Sequence, residues 1–153
     1  MYTEIAAIFD EAESRYLKAD ELSVLGQYVG SLPQRLETYQ RLRDQELSIM
    51  QQVADQLQAE MPQEPTANLE RSIKNGLLVL RYCAMSTLLN DDSFVKDRLL
   101  NWLSQSTQTY NIQKVDTVLY KLLDQRLNQV FNPQQFSLLA PSLQLAKDAL
   151  INH

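Results

Sequence analysis

The segment from Ser72 to Leu103 constrains the fold more than any other, because it is the most apolar part of a polar, Gln-rich chain. From Ile73 onward its apolar residues recur at the spacing of one helix with a wide buried face. These residues are Ile73, Leu77, Leu78, Leu80, Ala84, Met85, Leu88 and Leu89. A helix with such a face must be covered by other elements, so we expect the rest of the chain to pack around it.

The remaining sequence predicts further helices and no sheet. Only three glycines and five prolines interrupt the 153 residues, and β-branched residues do not alternate with period two. With 44% hydrophobic and 22% charged residues, the chain is long enough to bury one core. We therefore expect an all-α protein with a single domain over residues 1–153.

The first half of the chain is expected to contain two or three helices before the central one. A short amphipathic helix is predicted from about Thr3 to Arg15, and Asp20 is a candidate cap for the next helix. Pro33 predicts a kink or short break at Leu32, because a residue before proline avoids helical geometry. The apolar stripe that follows, from Leu36 to Met61, fits either one long helix or two.

The second half has clearer boundaries. The two prolines of the segment 61–66 predict a linker, with Asn68 as the cap of the central helix. The segment 90–93 predicts a turn, and a loop is expected near Thr107 to Asn111. Asn132 and Pro133 begin the last helix with a capping box that Gln135 completes, and Pro141 is expected to kink or restart that helix.

The central segment also carries a family resemblance. It rests on Leu80-Arg81-Tyr82, Asp91, Ser93 and Asp97-Arg98-x-Leu100-Asn101-x-Leu103. This pattern resembles the central signature of the phycobiliproteins, the bilin-carrying antenna subunits of cyanobacteria and red algae. The resemblance covers nearly the whole chain. It implies an N-terminal helical arm within residues 1–30, which also hold the start of the core, and a globin-like helical core over residues 31–153. It also implies two helices rather than one along the stripe from Leu36 to Met61.

The resemblance also shows which pigment contacts have changed. Ser72 stands where the family has the cysteine that forms a thioether to the bilin, and a hydroxyl is a far weaker nucleophile than a thiol. Lys74 replaces the arginine that pairs with a bilin propionate, and Asn75 replaces the aspartate that binds the pyrrole nitrogens. Trp102 stands where glycine is usual. We therefore expect no covalent bilin, while a noncovalent bilin held by Lys74 and Asn75 remains an alternative.

The N-terminal helix has an apolar stripe that must be covered. An intramolecular contact and an association surface are both open interpretations from the residues. In the resembled family the arm packs crosswise against the arm of a second subunit, which implies a dimer with itself or with a phycobiliprotein subunit. The candidate interface residues are Tyr2, Ile5, Ile8, Phe9 and Arg81. Arg81 would either pair with an acid of a partner arm, such as Asp10 or Glu13, or bridge helices of its own chain.

Several classes of function are disfavoured by composition. The net charge is −5, and no basic stripe indicates nucleic-acid binding. The only histidine is the terminal His153 and the only cysteine is Cys83, which we expect to be a buried structural thiol. No catalytic base, haem ligand, disulfide or metal site is therefore predicted. No segment predicts membrane insertion or a signal peptide, so a cytoplasmic protein is expected.

Two functions remain from these observations and the resemblance. The first is a non-catalytic subunit without covalent chromophore, associated with phycobilisome light harvesting at the cytoplasmic face of thylakoids in an assembly, structural or regulatory role. The second is a noncovalent carrier or sensor of a bilin or another small ligand. A fold alone does not determine function. Because the expected pigment contacts are changed, the sequence does not decide between the subunit and the carrier.

Overall fold

The computed structural model describes residues 3–151, apart from the side chains of Thr3 and Leu100. In this range the chain forms seven helices and no strand, which confirms the predicted all-α class. The helices are α1 (Thr3–Ala12), α2 (Ala19–Glu60), α3 (Thr66–Leu89), α4 (Ser93–Arg98), α5 (Leu100–Tyr110), α6 (Gln113–Val130) and α7 (Pro133–Ile151). None of the described helices is both long and apolar enough to span a lipid bilayer.

The central position of α3 is as predicted. It packs against α2, α6 and α7, and its buried side chains join one hydrophobic core. The approach to α6 is close at Gly76, where an added Cβ would lie 2.9 Å from Cδ2 of Leu119. The absence of a side chain at Gly76 therefore lets α3 and α6 pack tightly in the middle of the core.

Of the kink or short break expected at Leu32, the break is wrong, because α2 runs without interruption for 42 residues with Pro33 inside it; the kink stays a prediction. Proline lacks the N–H that would bond the carbonyl four residues earlier, which here belongs to Val29. Both Pro33 and Val29 are exposed, so water can bond that carbonyl and the cost of the missing hydrogen bond stays small. The stripe from Leu36 to Met61 accordingly lies on one helix rather than two.

The start of α2 also differs from the expected one. The helix begins at Ala19 with Lys18 as N-cap, so Asp20 lies in the first turn instead of capping it. The carboxylate of Glu21 accepts hydrogen bonds from the Lys18 backbone N–H at 2.8 Å and from the Arg15 guanidinium at 2.8 and 3.0 Å. The hydrogen bond from Arg15 is the main reason that the pKa of Glu21 falls to about 2. Arg15 also lies 3.5 Å from Glu11 of α1, so this one guanidinium pairs with a carboxylate of each helix at the junction between α1 and α2.

Boundaries in the second half follow the sequence in part. The reciprocal capping box is present, with the Gln135 N–H donating to Asn132 Oδ1 at 2.8 Å and the Asn132 N–H donating to Gln135 Oε1 at 3.2 Å. Asn68 does not cap α3, which has Pro65 at its N-cap. Pro141 lies inside a continuous α7.

The loop expected from Thr107 to Asn111 is also wrong, since α5 continues to Tyr110. The chain turns only at Asn111, which adopts a left-handed conformation with φ of 53°. Asparagine tolerates that conformation better than most residues, so it ends the helix without a glycine.

The arm projects from the core. Every buried residue of α2 lies at Arg35 or beyond, so the first four turns of this helix carry no part of the core. At a rise of about 1.5 Å per residue, α2 is roughly 63 Å long, which exceeds what the other helices cover. The structure therefore has a helical arm, made of α1 and the first turns of α2, in front of a helical core.

A buried arginine fixes the direction of this arm. Arg35 is only 1% exposed, and its guanidinium donates to the carbonyls of Tyr28 and Leu88 and, at 3.0 Å, to Ser31 Oγ. The guanidinium carbon also lies 4.5 Å from the centroid of the Tyr28 ring. Leu88 belongs to the last turn of α3, where unbonded carbonyls carry partial negative charge. Arg35 thus ties the base of the arm to the C-terminal end of the central helix.

Candidate functional site

The four positions that the resemblance assigns to a pigment site lie on or beside an open trough between α3 and α5. These two helices share little backbone contact, and the trough between them has a volume of about 330 Å³. Its lining residues are Arg71, Asn75, Trp102, Gln105, Ser106, Thr109 and Tyr110. Of the four predicted positions, Asn75 and Trp102 line the α3–α5 trough, Ser72 is buried, and Lys74 is exposed outside the lining.

Ser72 is engaged in a buried polar cluster that joins three helices. Its hydroxyl donates to Asp116 Oδ1 on α6, and the Thr107 hydroxyl on α5 donates to Asp116 Oδ2 at 3.0 Å. All three side chains are at least 95% buried. Burial raises the pKa of Asp116, and the two hydrogen bonds oppose this shift without cancelling it.

Asp116 was not predicted from the sequence. It lies 44 residues from Ser72, so local helical periodicity does not relate the two residues. Thr107 was expected to lie in a loop, so its hydrogen bond to Asp116 was not predicted either. A serine and a carboxylate at core positions of amphipathic helices are the one signal that could have indicated this cluster.

The cluster does not suit covalent attachment of a bilin at Ser72. A nucleophile must be accessible and must reach a reactive ionisation state. Ser72 has 0% exposure, and its hydroxyl donates its proton in a hydrogen bond to Asp116. A serine hydroxyl is also much less acidic than a thiol. The residues present therefore do not fit the thioether chemistry that the family resemblance associates with this position.

Cys83 offers no substitute for that chemistry. It is 1% exposed inside α3, as predicted, and burial raises the pKa of its thiol to about 12. A thiol that stays protonated is a poor nucleophile. Among the described residues no group of three His, Cys, Asp or Glu side chains is arranged to bind a metal ion.

A second groove lies between α2 and α3 and includes Arg81. This α2–α3 groove has a volume of about 340 Å³, with Tyr39, Leu78 and Met85 among its lining residues. Arg81 Nε lies 2.9 Å from Glu46 Oε1 on α2. Arg81 thus bridges two helices of its own chain here, and its pairing with a partner arm stays a prediction.

The arm presents exposed apolar side chains that the chain itself leaves uncovered. We call Phe9, Leu22, Val29, Leu32 and Leu36 the arm face; each of them is at least 40% exposed. Leu22, Val29 and Leu36 recur every seven residues, so they lie along one side of α2.

The predicted interface residues of α1 divide into two groups. Ile5 and Ile8 are buried within the chain, at 1% and 6% exposure, although they are not part of the main core. Phe9 is half exposed, and Tyr2 lies outside the described residues. Sequence periodicity placed these residues on one stripe of α1, but it did not distinguish the side chains that the chain buries from those that it leaves exposed.

A helical core with a projecting N-terminal arm is the architecture of antenna subunits of the phycobiliprotein class. A family model described as phycobilisome protein matches residues 7–150. The chain therefore belongs to the phycobilisome protein family. A comparison with curated proteins finds no match to this sequence.

Membership has general consequences for chemistry and assembly. Phycobiliproteins generally carry bilin chromophores, they assemble with other phycobiliprotein subunits, and the family is in general non-enzymatic.

Proposed function

We propose that this protein is a non-catalytic phycobilisome subunit without covalent chromophore, which pairs through its arm face with another phycobiliprotein-like chain or with a second copy of itself. Its role would be in assembly, structure or regulation of the antenna, in the cytoplasm next to phycobilisomes at the thylakoid face. The observation that carries this proposal is the arm face itself.

The arm face requires a partner on energetic grounds. Burying apolar surface contributes about 25 cal/mol per Å², and the arm projects too far from the core to bury its own outer side. Val29 is 57% exposed and Leu22 is 54% exposed. Several exposed apolar side chains along one side of a helix are a candidate interaction surface.

Arg81 is suited to exchange partners on association. Its side chain is 60% exposed, and its ion pair with Glu46 is a surface pair, which typically contributes only about 0–1 kcal/mol. An acidic residue of an incoming arm, such as Asp10 or Glu13, can therefore compete with Glu46 at little cost. This supports the predicted interface role of Arg81 and gives it an electrostatic basis.

Sedimentation equilibrium of the wild type and of a Val29→Asp, Leu36→Asp variant tests the pairing. The wild type should behave as a dimer or join an added phycobiliprotein subunit, and the variant should sediment as a monomer with unchanged helix content. Leu47→Asp is the matched control, because Leu47 is 82% exposed on α2 but lies outside the arm. A wild type that stays monomeric with every added subunit, or a variant that still pairs, contradicts the proposal.

A noncovalent bilin carrier is the competing function, and it is supported by only one of its predicted contacts. Asn75 lines the α3–α5 trough, but Lys74 lies outside the lining and Trp102 takes part of the space. Titration of the purified protein with biliverdin separates the two functions. We expect no shift of the visible absorption band, and a saturable shift would favour the carrier.

A further inference from the structure

Arg71 lies at the α3–α5 trough with no anionic partner among the described residues. Within the described residues its guanidinium pairs with no carboxylate and donates no side-chain hydrogen bond, and its carbon lies 3.4 Å from the centroid of the Tyr110 ring. Stacking on an aromatic ring holds a guanidinium in place while leaving its N–H edges open. Arg71 is thus positioned at the wall of the α3–α5 trough with its donors available.

The opposite wall is aromatic and accessible. Trp102, Ser106 and Tyr110 follow one another at intervals of four residues on α5, so they share one face of that helix. Trp102 is 55% exposed and lines the α3–α5 trough. An exposed indole beside a polar trough offers a flat surface on which a planar ring can stack.

The floor contains an amide whose hydrogen-bonding capacity is unused. Asn75 is 91% buried, it lines the α3–α5 trough, and its Nδ2 has no hydrogen-bond partner among the described residues. Buried polar groups are normally bonded, so an exception in a trough suggests a partner that arrives from outside. An acceptor oxygen of a bound molecule can supply that partner after a small rotation of the amide.

Charge and size restrict the ligand. Arg71 is the only charged side chain among the lining residues, since Gln105, Ser106 and Thr109 are neutral. The trough volume of about 330 Å³ lies near the lower end of the roughly 300–1,000 Å³ that ligand sites occupy. This favours a compact anion over an extended four-ring pigment.

We propose that the α3–α5 trough binds a planar aromatic carboxylate of one or two rings. The carboxylate pairs with the open edge of Arg71, the ring stacks on Trp102, and an acceptor group reaches the Asn75 amide. The anchor, Arg71, is not one of the altered pigment positions. The site does not depend on pairing through the arm face, so its test and the sedimentation test fail independently.

Trp102 is the only tryptophan of the chain, so its fluorescence reports directly on this site. The probe is 4-nitrobenzoate, a planar quencher with a carboxylate, and the neutral comparison is 4-nitrobenzamide. N-acetyltryptophanamide under the same conditions corrects for collisional quenching and absorption. We expect saturable quenching by both molecules, with the carboxylate binding at least about tenfold tighter, because a guanidinium–carboxylate pair is stronger than a neutral hydrogen bond.

The variant that isolates the anchor is Arg71→Gln, which keeps a polar chain of similar reach and loses the charge. We expect it to bind both molecules with equal affinity, while Arg71→Lys keeps a reduced preference for the carboxylate. Arg43→Gln is the matched control, because Arg43 lines the α2–α3 groove, and it should behave as the wild type. Melting temperatures of all variants confirm folding.

Three results would overturn the proposal. The first is quenching that never saturates beyond the collisional correction. The second is a carboxylate preference that survives in Arg71→Gln. The third is a preference lost equally in Arg43→Gln, which would place the binding in the α2–α3 groove.

Discussion

At the scale of single residues, one buried carboxylate connects the helices around Ser72. Asp116 accepts a hydrogen bond from Ser72 of α3 and one from Thr107 of α5, so a single side chain connects three helices. Buried polar networks of this kind are costly when one member is removed and its partners remain. Ser72 therefore contributes to stability at a position where the resembled family places its chromophore bond.

Asp116→Ala should destabilise the protein by about 3 kcal/mol, because it leaves two buried hydroxyls without an acceptor. Asp116→Asn should cost only about 1 kcal/mol, since the amide oxygen still accepts one hydrogen bond and the amide N–H can donate to the other hydroxyl. Urea unfolding followed by circular dichroism measures both. Equal losses in the two variants would show that the hydrogen bonds are not what Asp116 contributes.

The same residue predicts a pH dependence. Burial raises the pKa of Asp116 above its ordinary value of 3.8, so the folded state favours the protonated acid. Its contribution to stability is then complete below the unfolded pKa and is lost as pH rises through the folded pKa. The difference in unfolding free energy between wild type and Asp116→Asn should therefore shift against the wild type as the pH rises above 3.8, the ordinary pKa of the carboxyl. A difference that moves the other way contradicts the raised pKa.

Residue identity alone revealed only part of this site. Ser72, Asn75 and Trp102 were selected because of the family resemblance; the structure places Asn75 and Trp102 in the lining of one trough and buries Ser72. Asp116, Arg71 and Tyr110 were not selected. Their roles depend on how α3, α5 and α6 approach each other, and a helical stripe carries no information about contacts between distant segments.

At the scale of elements, the sequence correctly predicted features that depend on residues close together in the chain. The apolar stripe of α3 and the capping box at Asn132 depend on residues within one or two turns, and both are present. The continuity of α2 through Pro33 was not predictable in this way. Whether a proline breaks a helix depends on whether the carbonyl that it leaves unbonded can reach water, and the exposure of Val29 is a tertiary property.

Two glycines on different helices should respond oppositely to alanine. Gly76→Ala should destabilise the core by about 1 kcal/mol, because the new methyl group meets Leu119 at 2.9 Å and outweighs the gain in helix propensity. Gly30→Ala should stabilise α2 by about 1 kcal/mol, because Gly30 is exposed and has nothing within 4 Å of the added Cβ.

Thermal unfolding of the two glycine variants, under identical conditions, checks both signs. If Gly76→Ala is as stable as the wild type, α6 can shift at no cost and the close approach of the two helices is not required. If Gly30→Ala is destabilised, the face around Gly30 packs against something in the assembled protein.

At the scale of the whole molecule, the arm and the core differ in how their apolar residues are covered. The core buries its apolar residues within the chain, whereas the arm keeps its outer face exposed. Arg35 holds the base of the arm against the end of α3, so the arm is presented in a defined direction. Preorganisation of this kind lowers the entropic cost of association.

Arg81→Ala separates association from folding. Because its pair with Glu46 is exposed, the unfolding free energy should change by no more than about 0.5 kcal/mol. The dissociation constant of the arm-mediated complex should rise about tenfold if Arg81 meets an acid of the partner arm. Sedimentation at several concentrations measures this, with Arg43→Ala as control. Identical behaviour of the two variants would remove Arg81 from the interface.

The most direct test of the account is the absorption spectrum of this chain, isolated from its native cells and dissolved in acid urea, which removes noncovalently bound pigment. Phycobiliprotein subunits from the same preparation serve as the coloured control. Because Ser72 is buried and bonded to Asp116, we predict no visible band and an intact mass equal to that of the chain alone. A visible band that persists in acid urea, together with the added mass of a bilin, would contradict the account.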